Sequence, residues 1–425
     1  MPGCDEKRRC NETSVLGSLP RDGWLLLVTR GVRMFAYGFL SVVLALYLRA
    51  LGFREELIGL LLTLTLLGDT AVSLAITVSA DRIGRRRMLI LGAVLMALAG
   101  LVFGISDSFP LLLIAAIVGV ISPSGKEVGP FLSIEQAALA QTVADRRRTD
   151  VFAWQNVVGS MATALGALAS GLMCQTLLVV GFTGANVYRP LVFAYGAGGI
   201  LLATICLCLT GAVEAGNPDS PRRAGQWLGL HRSRRTVFKL AGLFGLDALG
   251  GGFVIQSLMA YWFYVRFGVD PVVLGGVFFG ANLLAAASAL IAASLARRIG
   301  LVNTMVFTHL PSNVLLILVP LMPNLPLAIT VVLLRFSISQ MDVPTRQSYT
   351  MAVVQPNERS AAAGVTTVVR SVGAGLSPAL AGYLLASPAL LSVPFFLAGG
   401  IKIVYDLLLY RAFITTAPPE ERDRA

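Results

Sequence analysis

A chain of 425 residues that is 56% hydrophobic and 13% charged, with mean hydropathy +0.75, is too oily for a soluble enzyme or binding module, in which about 25% of residues are charged. Its net charge of +11 falls in short segments between apolar runs, as charges facing an anionic leaflet do, and this excludes a nucleic-acid surface. Five cysteines and two histidines, His231 and His309, have no metal-ligand or disulfide spacing, so no metal and no cofactor is expected.

In chain order, residues 1–23 read as a polar cytoplasmic tail with no cleavable signal. Apolar runs of about 20 residues, enough to cross a bilayer, then recur twelve times, near 24–50, 56–79, 88–106, 111–139, 150–180, 187–212, 237–265, 271–295, 302–322, 326–353, 359–386 and 390–413. Polar residues interrupt the fourth and the tenth. Residues 213–236, "VEAGNPDSPRRAGQWLGLHRSRRT", form the longest polar stretch and read as a cytoplasmic linker. It separates a six-helix bundle over 24–212 from another over 237–413, and a cytoplasmic tail follows at 414–425. Of the 34 Lys and Arg, 23 fall on the side of the termini against 4 on the other, which predicts cytoplasmic termini.

The two halves repeat. The stretch from Glu135 answers the stretch from Arg346 at an offset of 211, pairing Gln136 with Gln347, Arg148 with Arg359, Ser160 with Ser371 and Gly171 with Gly382. At an offset of 216, "IGLLLTLT" answers "LGGVFFGA" and "SADRIG" answers "SLARRIG", with Arg297 where Asp81 stood. Two homologous six-span halves related by an axis along the membrane normal suit a transporter that rocks around a central site.

The loop between spans 2 and 3, "TVSADRIGRRRML", resembles the signature loop of the major facilitator superfamily, G-x-L-A-D-R-x-G-R-K-x-x-L. Ala80, Asp81, Arg82, Gly84, Arg85, Arg86 and Leu89 match, while Thr77 replaces the opening Gly and Ser79 the Leu. The chain is similar to this family, and to its drug/proton antiporter branch, over its whole length in topology and over this loop and span 5 in motif. The resemblance implies an all-α membrane protein with twelve transmembrane helices in two pseudo-symmetric six-helix bundles. It also implies a gate: Asp81 latches onto span 11 of the other half, and Arg85 holds a carboxylate near the end of span 4, for which Asp145 and Glu135 are available. Thr77 either widens the helix approach or supplies a hydroxyl contact in place of the Gly.

Ionisable side chains at membrane depth are costly and mark function by default. The basic ones are Arg30, Arg33, Lys126, Arg335, Arg346, Arg370 and Lys402, and the acidic ones Asp69, Glu127, Glu135, Asp247, Asp342 and Asp406. Lys402 and Asp406, four apart, read as a self-satisfied helical pair. The repeat sets Arg33 of span 1 opposite Asp247 of span 7. "SPSGKEVGP", 122–130, breaks the ladder of span 4 with two prolines and two glycines, and broken backbone at this depth must line a cavity or be buried in protein. Arg30, Arg33, Lys126, Arg335, Arg346 and Arg370 are therefore the substrate-cavity candidates. Asp69, Glu127, Asp247 and Asp342 are the proton-coupling candidates.

In span 5, "GSMATALGALASGL", the antiporter-signature positions hold Ala162, Gly166, Ala167, Ser170 and Gly171 without the family's Pro, which the repeat keeps as Pro378. The expectation is a secondary active transporter working by alternating access, proton-coupled and exporting a small organic solute or drug. The alternative is a proton-coupled importer of an organic or inorganic anion, and a third reading is a non-transporting receptor or enzyme on the same fold. The expected partners are a small-molecule substrate, protons and the lipid bilayer. The expected setting is a monomer in a plasma membrane, a bacterial inner membrane in particular.

Overall fold

Backbone N–H and C=O groups in hydrocarbon must be satisfied within their own segment, so runs this apolar fold as helices. In the computed structural model the described residues are 19–127, 129, 131–142, 148–214, 232–355 and 358–414. Nine spans are unbroken: span 1 (Arg21–Ala50), span 2 (Glu55–Ile83), span 3 (Arg85–Ile105), span 5 (Arg148–Val179), span 6 (Arg189–Leu207), span 8 (Pro271–Ile299), span 9 (Leu301–Leu318), span 11 (Arg359–Leu385) and span 12 (Val393–Phe413). Three come in two pieces: span 4 (Phe109–Val118 and Phe131–Thr142), span 7 (Arg234–Gly252 and Gln256–Phe267) and span 10 (Leu325–Phe336 and Asp342–Val353). Twelve spans thus stand in the expected places, with span 7 beginning three residues before 237. Most of the linker, 215–231, lies outside the described residues.

The breaks have local causes. In span 4, Gly125 at φ +65° and Gly129 at φ +82° bracket the segment, and Ser122 Oγ donates to the Lys126 carbonyl at 2.7 Å. Val120 sits at φ +56°, a costly place for a β-branched residue, and its carbonyl accepts from the Tyr195 hydroxyl at 3.1 Å. Span 10 breaks at 337–341, before Pro344 rather than at it, because a proline is tolerated in the first turn of a helix, here the second piece.

The repeat is visible in the packing. Within the first half span 1 lies on span 5 and span 3 on span 6; within the second, span 7 lies on span 11 and span 9 on span 12. The turns after spans 2 and 8 share the phrase "RIG", and their glycines, Gly84 and Gly300, sit at φ +110° and +88°. That geometry explains why Gly survived in both copies while Asp81 and Arg297 diverged.

The halves meet along two seams, span 2 against span 11 and span 5 against span 8. A Cβ on Gly382 would come 2.8 Å from the Gly59 Cα, and one on Gly171 would come 3.0 Å from the Gly275 Cα. Gly59 and Gly275 are related by the offset 216, Gly171 and Gly382 by 211, so the same close approach is built twice. The small residues of span 5 thus include a seam contact, as small faces do in membrane helix packing. Both contacts lie toward the distal end, the end opposite the termini.

Candidate functional site

Further contacts close the distal end. Ser257, at the start of the second piece of span 7, donates its backbone N–H to the Pro123 carbonyl at 3.1 Å and sets its hydroxyl 2.7 Å from the carbonyls of Ser41 and Pro123. Gln256 Nε2 donates to Ser41 Oγ at 2.9 Å. Nearer the surface, Tyr261 Oη donates to Glu55 Oε1 at 2.6 Å. The Ala379 N–H, beside Pro378, donates to Thr63 Oγ1 at 2.8 Å. The broken segments of spans 4 and 7 therefore seal against each other at the centre. Lys126, three residues beyond Pro123, is exposed on the termini side of that seal.

Arg30, Arg33, Glu127 and Glu135, at depth in the first half, are paired. Arg33, fully buried, grips both oxygens of Glu135, with Nη2 to Oε2 at 2.9 Å, and donates from Nε to Glu127 Oε1 at 2.9 Å. It also lies 4.6 Å from the Phe131 ring centroid. Arg30 Nη1 is 2.8 Å from Glu127 Oε2. Two cations meet two carboxylates, so Arg30, Arg33, Glu127 and Glu135 form a balanced cluster joining span 1 to the break of span 4 and to the piece after it. Removing one member strands a buried charge: Arg33→Leu is expected to cost about 3–5 kcal/mol, read as a lowered thermal midpoint in detergent.

Asp69 has no Lys or Arg against it among the described residues. It accepts from the Gly129 N–H at 3.2 Å and from Ser73 Oγ at 3.4 Å. Gly129 precedes the second piece of span 4, where unsatisfied N–H groups and a positive dipole favour a carboxylate. Asp69 thus ties span 2 to the backbone just before the second piece of span 4.

The second half has its own cluster. Asp247 lies 3.1 Å from Arg346 Nη1, accepts from Lys402 Nζ and lies 3.6 Å from His309 Nε2. Arg346 Nη1 also reaches Asp342 at 3.2 Å. The expected Lys402–Asp406 helical pair does not form: Lys402 turns to span 7, and Asp406 turns to His309 Nδ1 and Asn313 Nδ2, each at 2.8 Å. The packing of spans 7 and 9 on span 12 brings Asp247 to Lys402 and brings His309 and Asn313 to Asp406. The suggested opposition of Arg33 and Asp247 likewise resolves into separate neutralisation within each half. His309, which the sequence reading passed over, ties spans 7, 9 and 12 together.

Three candidates remain without an ion partner among the described residues: Lys126, Arg335 and Arg370. Arg335 Nε and Arg370 Nε have no hydrogen-bond partner, and Lys126 has both guanidiniums, Lys402 and Asp342 among its charged neighbours. The three candidates come from spans 4, 10 and 11, so they draw on both halves.

The gating loop is partly described. The Glu214 carboxylate accepts from the Arg85 N–H at 2.7 Å and the Arg86 N–H at 3.3 Å, capping span 3. Arg86 donates from its guanidinium to the carbonyls of Cys206 and Leu207 at the end of span 6. Thr77 Oγ1 lies 3.1 Å from Ser133 Oγ, the hydroxyl contact that replaces the family's Gly. The Glu135 carboxylate is engaged by Arg33. Asp145 and the side chains of Asp81 and Arg82 lie outside the described residues.

A family profile described as Major Facilitator Superfamily matches residues 26–378. The Saccharomyces cerevisiae protein named Uncharacterized membrane protein YJR124C is 32% identical over 423 residues, covering 93% of this chain and 94% of its own. Among solved structures, a bacterial homolog of the human lysosomal transporter Spinster is similar at TM-score 0.66 and 17% identity, over 92% of this chain and 94% of that one. The nucleoside transporter NupG is similar at TM-score 0.70 and 13% identity, over 93% and 99%. At these identities the two structures speak for the fold alone. The yeast relative lends no support to a bacterial inner membrane in particular.

Proposed function

The chain belongs to the Major Facilitator Superfamily, and on that premise we propose that this membrane transporter is a secondary carrier for a small anion. The observation that carries the reading is the trio Lys126, Arg335 and Arg370, left without ion partners while nearly every acid at membrane depth is committed elsewhere. Like charges brought near one another repel, so three cations without ion partners favour an anionic occupant. Arginine forks match the planar oxygens of carboxylate and phosphate. A cationic drug would add to the repulsion, which favours the anion over the drug reading.

The two seams and the broken spans support alternating access: the distal end is closed, and the cationic trio lies on the termini side of the closure. If the termini are cytoplasmic, this is an inward-facing arrangement. Alternating access is reversible, so the prevailing gradients set the direction of flux.

The reading is tested by flux into proteoliposomes for a panel of radiolabelled mono- and dicarboxylates, phosphate, a neutral sugar and a cationic dye, with and without a pH gradient. Saturable flux confined to anions is expected. Saturable flux of the sugar or the dye with none of the anions would overturn it.

A further inference from the structure

In the second half, one buried acid has no permanent cation against it. Asp406 is fully buried, and among the described residues it touches no Lys or Arg. Its contacts are His309 Nδ1 at 2.8 Å and Asn313 Nδ2 at 2.8 Å. An unpaired carboxylate at this depth costs several kcal/mol, so its counter-charge must come from a proton on this group of side chains.

His309 is itself buried, and its other nitrogen, Nε2, points to Asp247 Oδ1 at 3.6 Å. Neutral imidazole has one N–H, yet here both ring nitrogens face carboxylate oxygens. Asn313 Nδ2 also lies 3.1 Å from Nδ1, while its Oδ1 has no partner. The other facing groups are Lys402 and Arg346 on Asp247, Asp342 on Arg346, and the Tyr405 ring, edge-on at 5.8 Å between centroids. Asp247 and Asp342 are served by Arg346 and Lys402, so Asp406 alone lacks a counter-charge, and a single proton on the imidazole supplies it.

The cluster also sits where movement would disturb it. Asp247 lies five residues before the end of the first piece of span 7, and Asp342 and Arg346 lie in the first five residues of the second piece of span 10. His309 and Asp406 belong to the unbroken spans 9 and 12. Shifting the pieces of spans 7 and 10 would draw Asp247 away from the ring.

We propose that His309, held between Asp406 and Asp247, is a proton-binding site that couples to alternating access: the second imidazole N–H is present when the distal end is closed and leaves as H⁺ when it opens. The inference rests on the alternating-access reading above and is independent of the charge of the solute. His309 acts as a coupling residue, held by Asp406 and Asp247.

The chain has two histidines, so a His231→Asn background leaves one. In full-length protein in nanodiscs labelled with ¹⁵N-histidine, His309 is expected to give the signature of a doubly protonated ring at pH 7, and Asp406→Asn to convert it to the neutral form. A neutral ring in the background protein, or one unchanged by Asp406→Asn, overturns the proposal. For coupling, spin labels at Arg54→Cys and Asp270→Cys, both exposed, with the native cysteines replaced, report the distal opening. Raising the pH from 6 to 9 is expected to increase the open-to-closed ratio about tenfold, and Asp406→Asn or His309→Gln to abolish the response. A response that survives in both variants, or is absent from the parent, also overturns it; should His309→Gln fail to fold, the near-isosteric Asp406→Asn decides. Neither measurement uses a solute, so a neutral cargo in the flux panel would sink the anion reading and leave this result standing.

Discussion

Lys126→Gln is expected to raise the Kd for a transported anion about 30-fold or more, with little loss of thermal stability. Truncating one partner of a desolvated charge pair costs about 2–5 kcal/mol, and 1.4 kcal/mol is a factor of ten. Lys126 has no ion partner to strand among the described residues, so its removal relieves repulsion in the empty protein and weakens only the bound state. Arg335 and Arg370 are expected to behave in the same way, and Arg370→Lys to restore little, because an ammonium keeps the charge and loses the planar fork. Anion binding to purified protein measured by calorimetry, beside a melting curve for each variant, checks this. If Lys126→Gln, Arg335→Gln and Arg370→Gln all bind anions as the parent does, the site lies elsewhere. Arg33→Leu supplies the contrast, since its expected loss is of stability.

Gly382→Val is expected to hold the distal end open. The added Cβ would lie 2.8 Å from the Gly59 Cα, against backbone that cannot rotate away, and overpacking of this kind costs about 1–3 kcal/mol. That is a shift of about 5- to 150-fold toward the open arrangement. The repeat makes the same prediction for Gly171→Val on the other seam, where a Cβ would lie 2.7 Å from the Pro271 carbonyl. A lone cysteine replacing Asn282, which lies beside Gln256 at the closure, should react faster with a membrane-impermeant maleimide in both variants, while transport falls. Unchanged labelling in both would mean that the seams do not limit opening.

Much of the architecture is legible along the chain because it follows from local rules. Segment length and hydropathy set twelve spans, and the repeat matches Gly171 with Gly382, so a close approach made by one is matched by the other once the spans pack. The break in span 4 is written in Ser122–Pro130, where two glycines and two prolines leave no helix to form. In span 10 the chain breaks just before Pro344, because a ring that disrupts a helix interior is tolerated in a first turn.

Pairing is where one-dimensional reading stops. Lys402 and Asp406 have the spacing of a helical pair, yet each takes a partner from another span, and Arg33 meets Glu135 across 102 positions. His309 gives no signal in sequence: one imidazole on an apolar run matters here because Asp247 and Asp406 arrive on either side of it. The sequence by itself determined that this chain spans a membrane, how many times, in two related halves, and which residue types lie at depth, because hydrophobic burial and backbone satisfaction act segment by segment. Only the tertiary structure decided which charges cancel and which stay free, because that depends on contacts a few ångströms long between helices far apart in the chain. The difference between Arg33, spent on Glu127 and Glu135, and Lys126, left over at the centre, is such a contact.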